Sequence, residues 1–183
     1  MIIFGAALAL LGLGDHGRDW LRFERSEIAA GQWWRLLSGH FVHLGPSHFL
    51  LNMVGLGFVW YLLGDALRSL QWTFVLAFAV GLVDLGFWFL NPELQWYVGL
   101  SGVLHGLLVA GLVILAGRDR KDLLAVAALV VVKIAWEQTM GAMPGSALSS
   151  GGPVIVDAHF YGAIAGIIAG TVVRIRVRRA API

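Results

Sequence analysis

Residues 99–117 read GLSGVLHGLLVAGLVILAG, 19 positions without a charged side chain, interrupted only by the hydroxyl of Ser101 and the imidazole of His105. A helix that crosses a bilayer needs about 20 mostly apolar residues. The run therefore reads as a transmembrane helix with polar groups gathered at its start. Working outward, five more apolar stretches cover residues 2–14, 47–64, 72–90, 123–140 and 158–173. The expected fold class is an all-α membrane protein, a bundle of six transmembrane helices forming one domain over residues 1–183.

Composition points the same way. Of the 183 residues, 58% are hydrophobic and 13% charged, against about 25% charged in soluble domains. The mean hydropathy is +0.79. A soluble domain of this size has too little interior to hide that much apolar surface, so the solvent is lipid. The pI of about 9.4 raises nucleic acid as a partner. The basic residues instead flank apolar segments, the pattern of membrane-edge charge, so no nucleic-acid partner is expected. There is no Cys, which removes thiol nucleophiles and thiolate metal sites. No cofactor is expected.

The first stretch is short and starts at the chain's second residue. A secretory signal-peptide core is the alternative reading, but no basic residue precedes it and no small-residue cleavage site follows clearly. A first span that is short or clipped at its start fits better.

Lys and Arg orient the bundle. Arg174, Arg176, Arg178 and Arg179 follow the last span, Arg118, Arg120 and Lys121 follow residue 117, and Arg68 follows residue 64. With six spans these lie on one side, which is then cytoplasmic. Residues 15–46 face outward, although they carry Arg18, Arg22, Arg25 and Arg35. In that connection Trp20, Trp33, Trp34 and several Leu, Ile and Phe residues are interspersed with charges. Tryptophan favours headgroup depth, so the segment is expected to lie in the outer interface. Residues 145–153, rich in Gly and Ser, read as a flexible outward loop.

Polar groups at membrane depth are costly and mark function by default. Here they are His48, Asn52, Asp84, Ser101, His105, Lys133, Glu137 and His159, with Asp157 just outside the last span. Gly99 and Gly102 flank Ser101 and leave backbone N–H groups approachable at a helix start, which suits a developing oxyanion. The bland alternative is a serine used as interhelical glue; with 24 glycines in the chain, a GxSG motif alone does not exclude it. His159 lies near the outer end of the last span, at the depth of Ser101, where a neutral imidazole can take a serine proton. A Ser–His hydrogen bond requires close backbones. Gly102 and Gly106 give one small-residue face; Gly162, Gly166 and Gly170 give another. His48 and Asn52, four apart, share a helix face and can both donate to an oxyanion, or serve equally well as polar glue.

The remaining polar groups are read more plainly. His40, His43 and His48 suggest a metal, but HExxH is absent and no carboxylate lies near them on that segment, so no metal is expected. His105 is read as packing beside His159. Lys133 and Glu137, four apart, neutralise each other. Asp157 could orient His159 as a third triad member, but neighbouring residues on one helix point apart, which argues against it; Asp84 has no evident partner.

Together these residues resemble the rhomboid family of intramembrane proteases, from about Trp33 to Gly170. The likeness rests on Trp34-Arg35, His43, His48-x-x-x-Asn52, Gly99-x-Ser101-Gly102 and Ala158-His159-x-x-Gly162-x-x-x-Gly166, in order and on matching spans. The resemblance implies a rhomboid-type bundle with an interfacial first outer loop containing Trp34-Arg35. It implies a Ser101–His159 dyad without a required Asp, and an oxyanion hole from His48, Asn52 and the Ser101 N–H. Gly99, Gly102, Gly162 and His105 support the site. Where many bacterial members carry Tyr, this chain has His105. Residues 99–106, the compact size and Asp157 look instead like the rhombosortase subgroup. That implies the bacterial cytoplasmic membrane, a site opening to the periplasmic side, and membrane-anchored protein substrates ending in a Gly-Gly motif, an apolar helix and a basic tail. Two rivals compete. A non-proteolytic binder of transmembrane helices would be expected to lack Ser101 or His159. A transporter would spread its ionisable groups through the bilayer depth.

Overall fold

The computed structural model describes residues 2–180. In chain order the helices are α1 (Ile2–Leu11), α2 (Gly14–Leu21), α3 (Arg25–Ala29), α4 (Trp34–Ser38), α5 (Pro46–Leu63), α6 (Ser69–Leu90), α7 (Ser101–Leu115), α8 (Lys121–Met140), α9 (Ser146–Ser150) and α10 (Val156–Ala180). Two short strands, β1 (Phe23–Glu24) and β2 (Trp96–Tyr97), pair antiparallel, with Phe23 opposite Tyr97. Helices α5, α6, α8 and α10 are long and apolar enough to cross a membrane.

The expected stretches at 47–64, 72–90, 123–140 and 158–173 fall within or nearly within those four helices. Pro46 opens α5, where a missing N–H costs nothing. The stretch at 99–117 becomes a 15-residue helix starting at Ser101. At 2–14 the helix ends at Leu11, and a separate helix starts at Gly14. The 145–153 loop contains the short helix α9.

Helix α7 stands at the centre, against α10, α6 and α5. Leu100, Val103, Leu107 and Ala110 are buried with Val75, Ala79, Ala165 and Ala169 from its neighbours. Its closest partner is α10. A Cβ added at Gly162 would fall on the Gly102 carbonyl oxygen; at Gly166 it would stand 2.5 Å from the Gly106 carbonyl oxygen, and at Gly170 2.8 Å from that of Ala110. The two glycine faces thus lie backbone to backbone over about two turns. Helix α8 is peripheral: among its side chains only Leu123 and Glu137 are buried.

Residues 15–46 build a structured layer of short helices, and their arginines serve it internally. Arg25 donates to the carbonyls of Phe87 (2.5 Å), Trp88 (3.3 Å) and Asn91 (2.9 Å), capping the orphan carbonyls at the end of α6. Arg35, 5% exposed, donates to the carbonyls of Asp19 (2.9 Å) and Arg22 (3.0 Å) and to Gln32 Oε1 (2.8 Å). Arg18 bonds the Leu44 carbonyl at 3.2 Å, and Arg22 pairs with Glu24 at 2.7 Å. Trp20, Trp33 and Trp34 are exposed on the outside of this layer. At the other end of the bundle Arg174 caps α7, donating to Val113 O (2.8 Å) and Ala116 O (2.6 Å).

Because a backbone carbonyl cannot step aside, Gly162→Val should force α7 and α10 apart and destabilise the fold by about 1–3 kcal/mol or more. Gly81→Ala, where nothing lies within 4 Å of the added methyl, should be neutral or stabilising by up to about 1 kcal/mol. Thermal melting in detergent reads both.

Candidate active site

Ser101 is the first residue of α7, and the turn before it is set by glycine. Gly99 has φ +123°, and a Cβ there would stand 2.7 Å from His48 Cε1. Only glycine both tolerates that backbone conformation and leaves the ring its place. The turn is held by Gly99 N–H donating to Gly39 O (3.1 Å) and by the Tyr97 hydroxyl donating to Gly99 O (2.6 Å). Burial pushes the Tyr97 phenol's pKa up, so it remains a donor.

The glycine contact between α7 and α10 sets His159 Nε2 2.9 Å from Ser101 Oγ. His159 is 5% exposed. Behind it, the Glu137 Oε2 atom lies 2.9 Å from His159 Nδ1. Lys133 Nζ lies 2.7 Å from Glu137 Oε1 and 3.2 Å from His159 Nδ1. The self-contained Lys133–Glu137 pair expected from the sequence is thus opened toward α10, and Glu137 is the site neighbour that sequence reasoning missed. Its signal was a carboxylate on a largely apolar span, near the Met140 end of α8.

His105 stacks on His159, ring centroids 4.3 Å apart at 23°. Its Nδ1 donates to the Ser101 carbonyl at 2.7 Å, so that nitrogen is committed to the backbone and is not a rival base. His48 Nδ1 accepts from the Leu44 N–H at 3.3 Å. That bond leaves the ring's hydrogen on Nε2, the nitrogen beside Gly99, as a free donor. Asn52 Nδ2 donates to the His48 carbonyl at 2.9 Å and keeps a second N–H. Gly102 and Gly162 are the contact that brings the helices together, as described above.

The other polar residues have structural partners. Asp84 Oδ1 lies 3.2 Å from His40 Nε2, which ties α6 to the first connection and corrects the expectation that it stands alone. Asp157 accepts from Asn91 Nδ2 at 2.7 Å, and Tyr161 donates to Asn91 Oδ1 at 2.6 Å. This chain is directed away from the imidazole. Among the described residues, no group of three or more His, Asp or Glu side chains is placed to hold a metal.

Ser101, His159, His48, Asn52, Lys133 and Glu137 all line one cavity of about 370 Å³. Leu51, Phe58, Leu104 and Leu108 form its apolar wall, and Ser146, Ser149 and Ser150 of α9 close one side. A paired serine and imidazole beside convergent N–H donors, in a cavity walled by apolar residues, can carry out acyl transfer.

Comparison with known proteins returns a match to the family model described as the Rhomboid domain, over residues 30–176, well over half of the chain. A search of curated proteins gives no match.

His43, in the turn before α5, packs edge-on against His48 with centroids 5.1 Å apart. Burial first, then the charge of His48, lower its pKa to about 3, against a weaker opposing bond from the Phe41 backbone. The unfolded chain takes up that proton near pH 6.5, so stability falls as pH drops from about 6.5 toward 3, by up to about 1.4 kcal/mol per pH unit. His43→Phe should flatten this slope in melting curves taken between pH 7 and 4.5; an unchanged slope would show that other groups cause it.

Proposed function

The chain belongs to the rhomboid family, whose members are intramembrane serine proteases, and on that premise we propose that it is an active serine endopeptidase with Ser101 as nucleophile and His159 as general base. The observation that carries this reading is the 2.9 Å contact between Ser101 Oγ and His159 Nε2 across two helices. Its surroundings support it: a cavity holding His48 and Asn52 as well as the pair. The transporter alternative finds less support, because Lys133 and Glu137 gather with Ser101 and His159 at one cavity and Asp84 is paired with His40 elsewhere, rather than being strung through the bundle.

His159 takes the Ser101 proton, and Ser101 Oγ attacks a peptide carbonyl. The His48 Nε2–H, the free Asn52 N–H and the Ser101 backbone N–H hold the oxyanion. The tetrahedral intermediate collapses as His159 returns the proton to the leaving amine, and a water repeats the cycle on the acyl-enzyme. A 15-residue α7 is about 22 Å long, shorter than a hydrocarbon core of about 30 Å. A nucleophile on its first turn therefore suits a bond cut below the membrane surface.

We extend the reading to a six-span, single-domain protein of the bacterial cytoplasmic membrane. Residues 15–46 lie in the outer interface, and the site opens to the periplasmic side. The exposed tryptophans support an interfacial position for that layer, and the Lys and Arg residues that follow residues 64, 117 and 173 support the orientation. The substrate is a membrane-anchored protein of the rhombosortase kind, with a C-terminal Gly-Gly motif, an apolar helix and a basic tail. His105 in place of the more common Tyr motivates that finer assignment.

A fluorophosphonate probe tests the chemistry. The parent protein should label, and Ser101→Ala and His159→Ala should not; equal labelling of all three would falsify the nucleophile assignment. Co-expression with a Gly-Gly-tailed membrane protein tests the substrate. Loss of the tail only with Ser101 intact is expected, and an untouched tail beside an active enzyme would rule the subgroup out.

A further inference from the structure

A base that accepts the Ser101 proton must present a lone pair on Nε2, so the ring's one hydrogen must sit on Nδ1. That tautomer is favoured only by an acceptor facing Nδ1. Two groups on α8 face it, and they ask for opposite things. Glu137 Oε2, at 2.9 Å, is an acceptor and favours hydrogen on Nδ1. Lys133 Nζ, at 3.2 Å, has only donors. Acting alone it would demand a lone pair on Nδ1 and send the hydrogen to Nε2, pointed at Ser101, where the ring could not act as base.

The second carboxylate oxygen resolves the conflict. Lys133 Nζ lies 2.7 Å from Glu137 Oε1, closer than it lies to the ring. Its ammonium can donate there, which holds the carboxylate with Oε2 turned to the imidazole. The other groups around His159 do not compete for Nδ1. His105 of α7 stacks on the ring face with its own Nδ1 on the Ser101 carbonyl, and Ser101 occupies Nε2. His48 of α5 is turned to the Leu44 N–H. Glu137 is 3% exposed on a helix that otherwise buries only Leu123. A carboxylate carried to that depth needs partners, and both of its partners here belong to the site.

We propose that Glu137 is a positioning residue for the base, completing a Ser101–His159–Glu137 triad in place of the dyad that the resemblance implies, and that Lys133 sets the orientation of its carboxylate. This rests on the Ser101–His159 reading above. In the acylation step the Ser101 proton passes to His159 Nε2 as the Oγ–C bond forms. Glu137 accepts a hydrogen bond from Nδ1–H throughout and takes no proton. The imidazolium gives the Nε2 proton to the amine as the C–N bond breaks.

The test uses the full chain in detergent, with the second-order rate of fluorophosphonate labelling as activity and nitrogen-labelled histidine NMR as a tautomer signature. Glu137→Gln should slow labelling on the order of 10²- to 10⁴-fold and move the His159 ring hydrogen from Nδ1 to Nε2. Glu137→Asp should recover part of the rate and restore the tautomer. Lys133→Met should lose less than Glu137→Gln, and Lys133→Arg less still. Labelling of Glu137→Gln within about threefold of the parent, with Ser101→Ala silent, overturns the proposal and leaves the nucleophile assignment standing. Equal slowing in Gln and Asp variants with the tautomer unchanged and the melting temperature lowered also overturns it, because Glu137 would then only fasten α8. If Glu137→Gln does not fold, the tautomer in Glu137→Asp decides in the same way. If Ser101→Ala labels like the parent, the reading beneath the proposal fails and takes the proposal with it.

Discussion

The structure depends on two helix backbones lying in contact. Gly102 and Gly106 of α7 meet Gly162 and Gly166 of α10 so closely that a single methyl group on Gly162 would occupy the position of a carbonyl oxygen. In lipid there is no hydrophobic gain from pressing helices together, so close packing of small residues supplies the attraction. The same contact sets the chemistry. Serine has one side-chain bond of reach, so its hydroxyl meets an imidazole on another helix only if the helices nearly touch. The 2.9 Å Ser101–His159 contact follows from the glycines more than from either residue.

Around that contact the remaining elements do the positioning. Gly99 turns the chain into α7 and leaves a seat for His48. Tyr97 and Gly39 hold the turn. Arg25 and Arg174 cap α6 and α7 from distant segments, satisfying carbonyls that lipid cannot. His40 and Asp84 tie the layer of residues 15–46 to α6. Several polar groups at depth have thus been paired across the fold, and the cavity is where others converge with room left over.

What the sequence made legible was local or periodic. Four spans stood out because hydropathy is a property of a single stretch. Ser101, His48 and Asn52 drew attention through flanking glycines and an i,i+4 spacing, and the facing glycine stripes announced themselves by their period. Partners far apart in the chain left no such trace. Lys133 and Glu137 have the spacing of a self-sufficient pair, and nothing in that spacing says that the second carboxylate oxygen reaches α10, 22 positions on. Asp84 and His40 are separated by 44 positions. The bonds that Arg25 and Arg35 make to carbonyls of other segments were hidden for the same reason, since a count of Lys and Arg names no partner. The break of α1 at Leu11 was also hidden, since residues 12–14 remain apolar or small.

Helix α8 is fastened at two points, Leu123 near one end and Glu137 near the other, with apolar side chains exposed along most of its length between them. Acyl chains, rather than protein, press on its open flank in a bilayer. The element that carries Glu137 and Lys133 to His159 is therefore also the one whose flank the lipid borders most openly.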